Sequence, residues 1–256
     1  MGELNNILQL PERCLLNKKI TKVFFKRNFE LTSGEKALLD DATKVVQIEW
    51  LASISPASAN INLYRDEYYL YEEVQVITVY SEATNFKDSY FKIFDLIQKY
   101  IPYPILLCVY SGNNFVLNTC DKKINQNDNT RRTIDKKYFT EIIKIDDESN
   151  EQKAFINSLG FATLDKTDLK TFYDSYTQRI VALQAAEISG SFIPRTQVRS
   201  QSDMENLDKI ETLQKEINVL QNQAKKETQL NQRIEMNTQL QLKRKQIEQL
   251  KELITV

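Results

Sequence analysis

The sequence predicts a mixed α/β (α+β) fold, a mixed central sheet flanked by helices, with a long C-terminal coiled-coil helix or helical hairpin appended to it. Three observations lead there. Apolar residues before about residue 188 alternate between strand-like and helical spacing. A 41% hydrophobic fraction in 256 residues is enough for one ordinary core. No glycine follows Gly190 and no proline follows Pro194, so nothing interrupts a helix beyond them.

The elements follow in order. Thr32-Ser33-Gly34-Glu35 has capping-box spacing and opens a helix with Leu38, Leu39, Ala42 and Val45 on one face. A strand is expected over 45–55, ended by Pro56, and a second short one near Asn60 to Tyr64. Residues 73–80, EVQVITVY, are apolar on both faces, as a central strand requires. Tyr90, Phe91, Phe94, Ile97 and Ile101 recur at helical spacing up to Pro102, and a buried strand follows over 104–110. Ser111-Gly112-Asn113-Asn114 forms a hairpin turn. Residues 121–133 are polar and aperiodic and read as a loop, with a further strand near Glu141 to Ile145. Leu169, Phe172, Tyr173, Tyr176, Ile180 and Leu183 mark a closing amphipathic helix. The expected organisation is therefore a globular domain over 1–188, a linker over 189–202 and a coiled coil over 203–256.

In the tail, Ile210, Leu213, Ile217, Leu220 and Ala224 step by three and four, the seam of a coiled coil. Leu240, Ile247, Leu250 and Ile254 repeat the rule, with Lys243 breaking one layer. The two seams are out of phase. Either one helix of about 80 Å continues through a stutter, or the chain turns back around 225–231. A lone amphipathic helix of that length is not stable in water, so a partner surface is expected.

Composition removes many chemistries. There is no histidine, which excludes Ser-His-Asp and Cys-His catalysis and His-bearing zinc sites. The five glycines form neither a phosphate-binding loop nor a dinucleotide fingerprint. With 34 basic and 35 acidic residues the net charge is -1, so a nucleic-acid or anionic partner would have to meet a local patch. Cys14, Cys108 and Cys120 are odd in number and widely spaced, the pattern of a reducing compartment, and Cys108 reads as core. No apolar run has signal-peptide or membrane-span length, so a cytoplasmic protein with no membrane partner is expected.

Three constellations carry possible chemistry. The order of elements over 33–110 is that of PD-(D/E)xK nuclease cores, with Glu73-Val74-Gln75 as the ExQ pair and Asp66 as the nearest acid for a second strand. Such a site would use Mg²⁺; without it no cofactor or metal is expected. The basic run Arg13, Lys18, Lys19, Lys22, Lys26 and Arg27, interleaved with Phe24 and Phe25, suits phosphate contact, although a solvated strand or helix edge explains it as well. Residues 64–73, YRDEYYLYEE, mix aromatics and acids and form either a recognition loop or a hairpin covering the core.

Four stretches, VVQIEWLASISPASANI, EVQVITV, IPYPILLCVY and KKETQLNQRIEMNTQL, together resemble domain-of-unknown-function family 4391 of bacterial proteins, a resemblance that runs from PERCLLNKKI into the tail. It implies an α/β domain with a charged helical tail, in genes that neighbour restriction-like helicases and DNA methyltransferases. It carries over no catalytic residue. The function expected on this reading is an accessory, non-catalytic subunit of a DNA-targeting restriction or anti-phage assembly. Its contact, with itself or with a helicase or methyltransferase, would run through Ile210, Leu213, Ile217, Leu220, Leu240, Ile247, Leu250 and Ile254. The alternative is a Mg²⁺-dependent nuclease of the PD-(D/E)xK kind, or a degenerate DNA-binding relative of one.

Overall fold

A computed structural model of the chain describes residues 2–194 and 197–255. The chain divides into two compact units, with the boundary between Ile180 and Val181.

The first unit begins with α1 (Gly2–Leu8), β1 (Leu15–Ile20), α2 (Lys22–Asn28) and α3 (Ser33–Asp40). Thr32 caps α3 as its spacing predicts: its hydroxyl accepts from the Glu35 amide, and the Glu35 carboxylate accepts from the Thr32 amide at 2.7 Å. Next come β2 (Gln47–Ile54), the short α4 (Pro56–Ala59), β3 (Tyr64–Arg65), β4 (Leu70–Tyr71), β5 (Val74–Tyr80), α5 (Phe86–Tyr100) and β6 (Ile105–Ser111). The unit continues with β7 (Asn114–Asn125), β8 (Asp128–Phe139), β9 (Ile143–Lys144) and α6 (Asn150–Ser158), and α7 (Leu169–Ser189) crosses the boundary.

The main sheet runs β1-β2-β5-β6-β7-β8, with β9 pairing β7. Within it β5 and β6 are parallel, because α5 connects them as a crossover. All of β5 but Tyr80 is buried, as expected of a central strand. One face carries Ile77, Val79, Leu107 and Val109 into a core with Ile93, Phe94 and Ile97 of α5 and with Phe25, Leu38 and Leu39 of α2 and α3. The other face receives α7: Thr177 donates to Thr119 of β7 at 2.9 Å, and the Tyr173 hydroxyl accepts from the Cys120 amide at 2.8 Å.

Two expectations are corrected here. The second short strand expected near Asn60 to Tyr64 begins at Tyr64, after an isolated bridge from Asn62 to Asp168, and as β3 it pairs with β4 in a separate two-stranded ribbon. The segment 121–133 is no loop but the distal half of the β7–β8 hairpin. Its polarity misled because an edge strand such as β8 draws its order from the backbone ladder and keeps charged side chains that discourage further pairing.

The second unit contains α8 (Gln197–Lys226) and α9 (Leu230–Thr255). Helix α8 starts six residues before the expected coiled coil. The expected linker 189–202 thus narrows to the stretch after α7, of which residues 195 and 196 lie outside the described residues. The tail is a hairpin and not one rod: Lys243 pairs with Glu216 at 2.6 Å, and Arg199 Nη2 donates to the carbonyls of Leu253 and Ile254 at 2.7 and 3.1 Å. Residues early in α8 thus meet residues late in α9, which makes the helices antiparallel. The reversal falls at 227–229, where the Glu227 carboxylate accepts from the Gln229 amide at 2.7 Å.

Candidate functional site

Glu73 precedes β5 and Gln75 lies on it, on the α5 side of the sheet. Gln75 is buried; its amide donates to Glu73 Oε2 at 2.7 Å and its carbonyl accepts from the Trp50 indole at 2.5 Å. Ser53 donates to the same Glu73 oxygen at 3.0 Å. The ExQ pair is therefore tied to uncharged hydrogen-bond partners, Ser53 and Trp50. Asp66 stands in the turn between β3 and β4, where one oxygen accepts from the Tyr68 and Tyr69 amides at 2.8 and 2.7 Å and the other from the Tyr64 hydroxyl at 2.7 Å. Those bonds hold its carboxyl below the usual range, the Tyr64 hydroxyl first. They give Asp66 a turn-forming task that spacing could not reveal. Among the described residues no group of three or more His, Cys, Asp or Glu side chains is placed to hold a metal ion.

The basic run does not make one patch. Arg13 belongs to a short 3-10 turn, Lys18 and Lys19 to the edge strand β1, and Lys22, Lys26 and Arg27 to α2. Lys18 pairs with Trp50 and Lys19 with Glu49, so adjacent lysines point to opposite faces of the sheet. Lys26 is ion-paired with Asp40, and Lys22 reaches the Asp41 carbonyl at 3.4 Å. Phe25 enters the core while Phe24 is left largely exposed.

Residues 64–73 act mainly as a cover. Tyr71 is buried against Tyr173, with ring centroids 5.9 Å apart, and Tyr69 donates to Asp121 at 3.1 Å. Lys170 of α7 pairs with Asp174 at 2.6 Å and lies over the Tyr69 ring at 5.2 Å. Burial raises the carboxyls of both Asp121 and Asp174, and Lys170 counters it at each. This is the fastening of a ribbon onto a helix, drawn from segments some fifty residues apart.

Lys122 falls in the stretch over 121–133 that reads as a loop, yet it is no loop residue. It is buried on β7, and its ammonium donates to the carbonyls of Ile101 and Tyr103, both at 2.8 Å. It ties down the carbonyls that follow α5, and burial lowers its pKa to about 7.

In the second unit the seam residues meet one another. Ile217, Leu240 and Ile247 form a buried cluster, with Ile210, Leu213 and Leu220 packed against it, and Ile254 is fully buried. The expected partner-binding seam is thus largely closed within the chain. What stays open is a groove of about 580 Å³ along one flank, where Leu213, Leu250 and Leu253 lie between Asp208, Lys209 and Gln249. Leu253 is 56% exposed, and Val219 and Leu242 are exposed elsewhere on the hairpin. Heptad spacing gave no sign of this flank, because Leu253 falls outside the seam.

A family model described as a domain of unknown function (DUF4391) matches residues 8–247. No curated protein matches the chain, and no solved structure does.

Proposed function

We propose, from the premise that this chain belongs to the domain-of-unknown-function family DUF4391, that it serves as an accessory, non-catalytic subunit which assembles through the outer face of its C-terminal hairpin. The partner on that face is a second copy of the chain. The observation that carries the reading is the groove holding Leu213, Leu250 and Leu253, an apolar strip left over after the seam has closed.

A two-helix hairpin has a thin core, and pairing two hairpins into a four-helix bundle is the ordinary way to thicken it. The rim carries both signs of charge, Asp208 and Lys209, so a second copy related by a twofold axis meets a mixed surface and not a like-signed one. A bacterial DNA-targeting restriction or anti-phage assembly remains the proposed setting, supported by the family resemblance alone.

Light scattering on the full chain tests the assembly. Twice the chain mass is expected at micromolar concentration, falling to the chain mass in a Leu250→Asp, Leu253→Asp double variant whose helical circular dichroism is retained. A wild-type chain that stays at single mass up to about 100 µM contradicts it.

A further inference from the structure

The C-terminal ends of the parallel strands β5 and β6 open into a cleft of about 470 Å³ that the reading above does not use. That is the size of a small-molecule site, and the carboxyl ends of parallel strands are where open α/β sheets place ligands. Helix α1 closes one side with Ile7 and Asn6, and the β6–β7 turn closes another. Gly112 makes that turn possible with a φ of +55°, which leaves Asn113 and Asn114 at the mouth.

The floor is set by strand register. Thr78 pairs with Cys108 and Tyr80 with Tyr110, so the four side chains share one face. Glu49 pairs with Thr78 from the opposite neighbour and stands on that face too. No Lys, Arg, Asp or Glu lines the cleft among the described residues, and the charge that stands next to it on the same face, Glu49 one strand further out, is negative. A phosphate would find no cation there. A purely aliphatic ligand would take water from the Thr78 and Tyr110 hydroxyls and the Asn114 amide and offer no hydrogen bond in return.

Each of those amides offers both a donor and an acceptor, the alternation that the edge of a nucleobase presents. The Tyr110 ring, packed against Tyr80 with centroids 5.1 Å apart, lines the cleft as an aromatic wall, and base–aromatic stacking contributes about 1–3 kcal/mol. Burial, then the charge of Glu49, pushes the Tyr110 hydroxyl up to about 12, so it is a neutral donor near pH 7.

We propose that this cleft binds an uncharged planar heterocycle, a nucleobase or nucleoside, stacked on Tyr110 and read along its edge by the asparagine amides. The site lies within the first unit and does not depend on how the hairpin assembles.

Isothermal titration calorimetry of the full chain with adenosine, guanosine, cytidine and thymidine, and separately with a mixed-sequence single-stranded oligonucleotide, tests this. At least one nucleoside is expected to bind saturably below about 1 mM. Asn6→Trp, an exposed α1 position that would fill the cleft, should weaken binding more than tenfold. Asn113→Ala should weaken it roughly three- to tenfold, with both variants melting as wild type does. If only the oligonucleotide binds and both variants weaken it in the same way, the cleft takes the base from a strand rather than a free nucleoside. Absence of saturable binding in both arms, or binding indifferent to both variants, overturns the proposal.

Discussion

Lys243 on α9 meets Glu216 on α8 across the hairpin, with Nζ 2.6 Å from the Oε2 oxygen. The residue that interrupts the second seam is therefore paired by the first helix and does not leave a hole. Both side chains are partly exposed, so the pair contributes only about 0–1 kcal/mol. Lys243→Glu puts two carboxylates together and should lower the melting midpoint of the helical signal by a few degrees. Lys243→Leu, which completes an apolar layer, should leave it unchanged or raise it. Thermal circular dichroism of the full chain measures both.

Glu35 joins local capping to long-range packing. Burial alone would raise its carboxyl. The Lys99 ammonium, the Thr32 amide and the Tyr100 hydroxyl outweigh burial and hold it at about 2. A carboxyl lowered on folding adds stability above its unfolded value of about 4.3 and loses it as pH falls toward 2. Glu35→Gln should cost about 1–2 kcal/mol at pH 7 and flatten the acid limb between pH 4.5 and 2 in urea titrations.

Lys122 reverses the direction. Its pKa is about 7 when buried and near 10.4 when unfolded, so above pH 7 the unfolded chain holds a proton that the folded chain has released. Stability should then rise with pH between 7 and about 7.8, by up to about 1 kcal/mol per unit, below the range near 8.5 where unfolded thiols ionise and reverse the trend. Lys122→Met should abolish that slope. Urea midpoints at pH 7.0 and 7.8 give the comparison, and an equal slope in both proteins would exclude Lys122 as its source.

Legibility in the sequence followed how local each determinant was. Thr32 and Glu35 are three residues apart and their cap formed as spacing implies; β5 was readable as central because both its faces are apolar. The β7–β8 hairpin was not, since residues such as Lys123 and Asp135, ion-paired at 2.5 Å, look like loop residues until the ladder aligns them. Asp66 seemed a ligand by composition, yet its partners are the amides of Tyr68 and Tyr69, invisible to side-chain spacing. In the tail, the phase offset between Ala224 and Leu240 exposed the need for a break and left its form open. The reversal at 227–229 resolves it, by setting two out-of-phase seams against each other instead of forcing one helix to carry both.

That reversal underlies the account, because only a folded-back tail closes its own seam and leaves the flanking groove as the surface for assembly. Pulsed dipolar spectroscopy between spin labels on cysteines at the exposed positions Glu205 and Glu252 reads it directly, with labelled chains diluted into unlabelled ones. A hairpin with helix axes 8–10 Å apart predicts a label separation of roughly 10–25 Å. A separation near 70 Å, the length of a continuous helix at about 1.5 Å per residue, would contradict it.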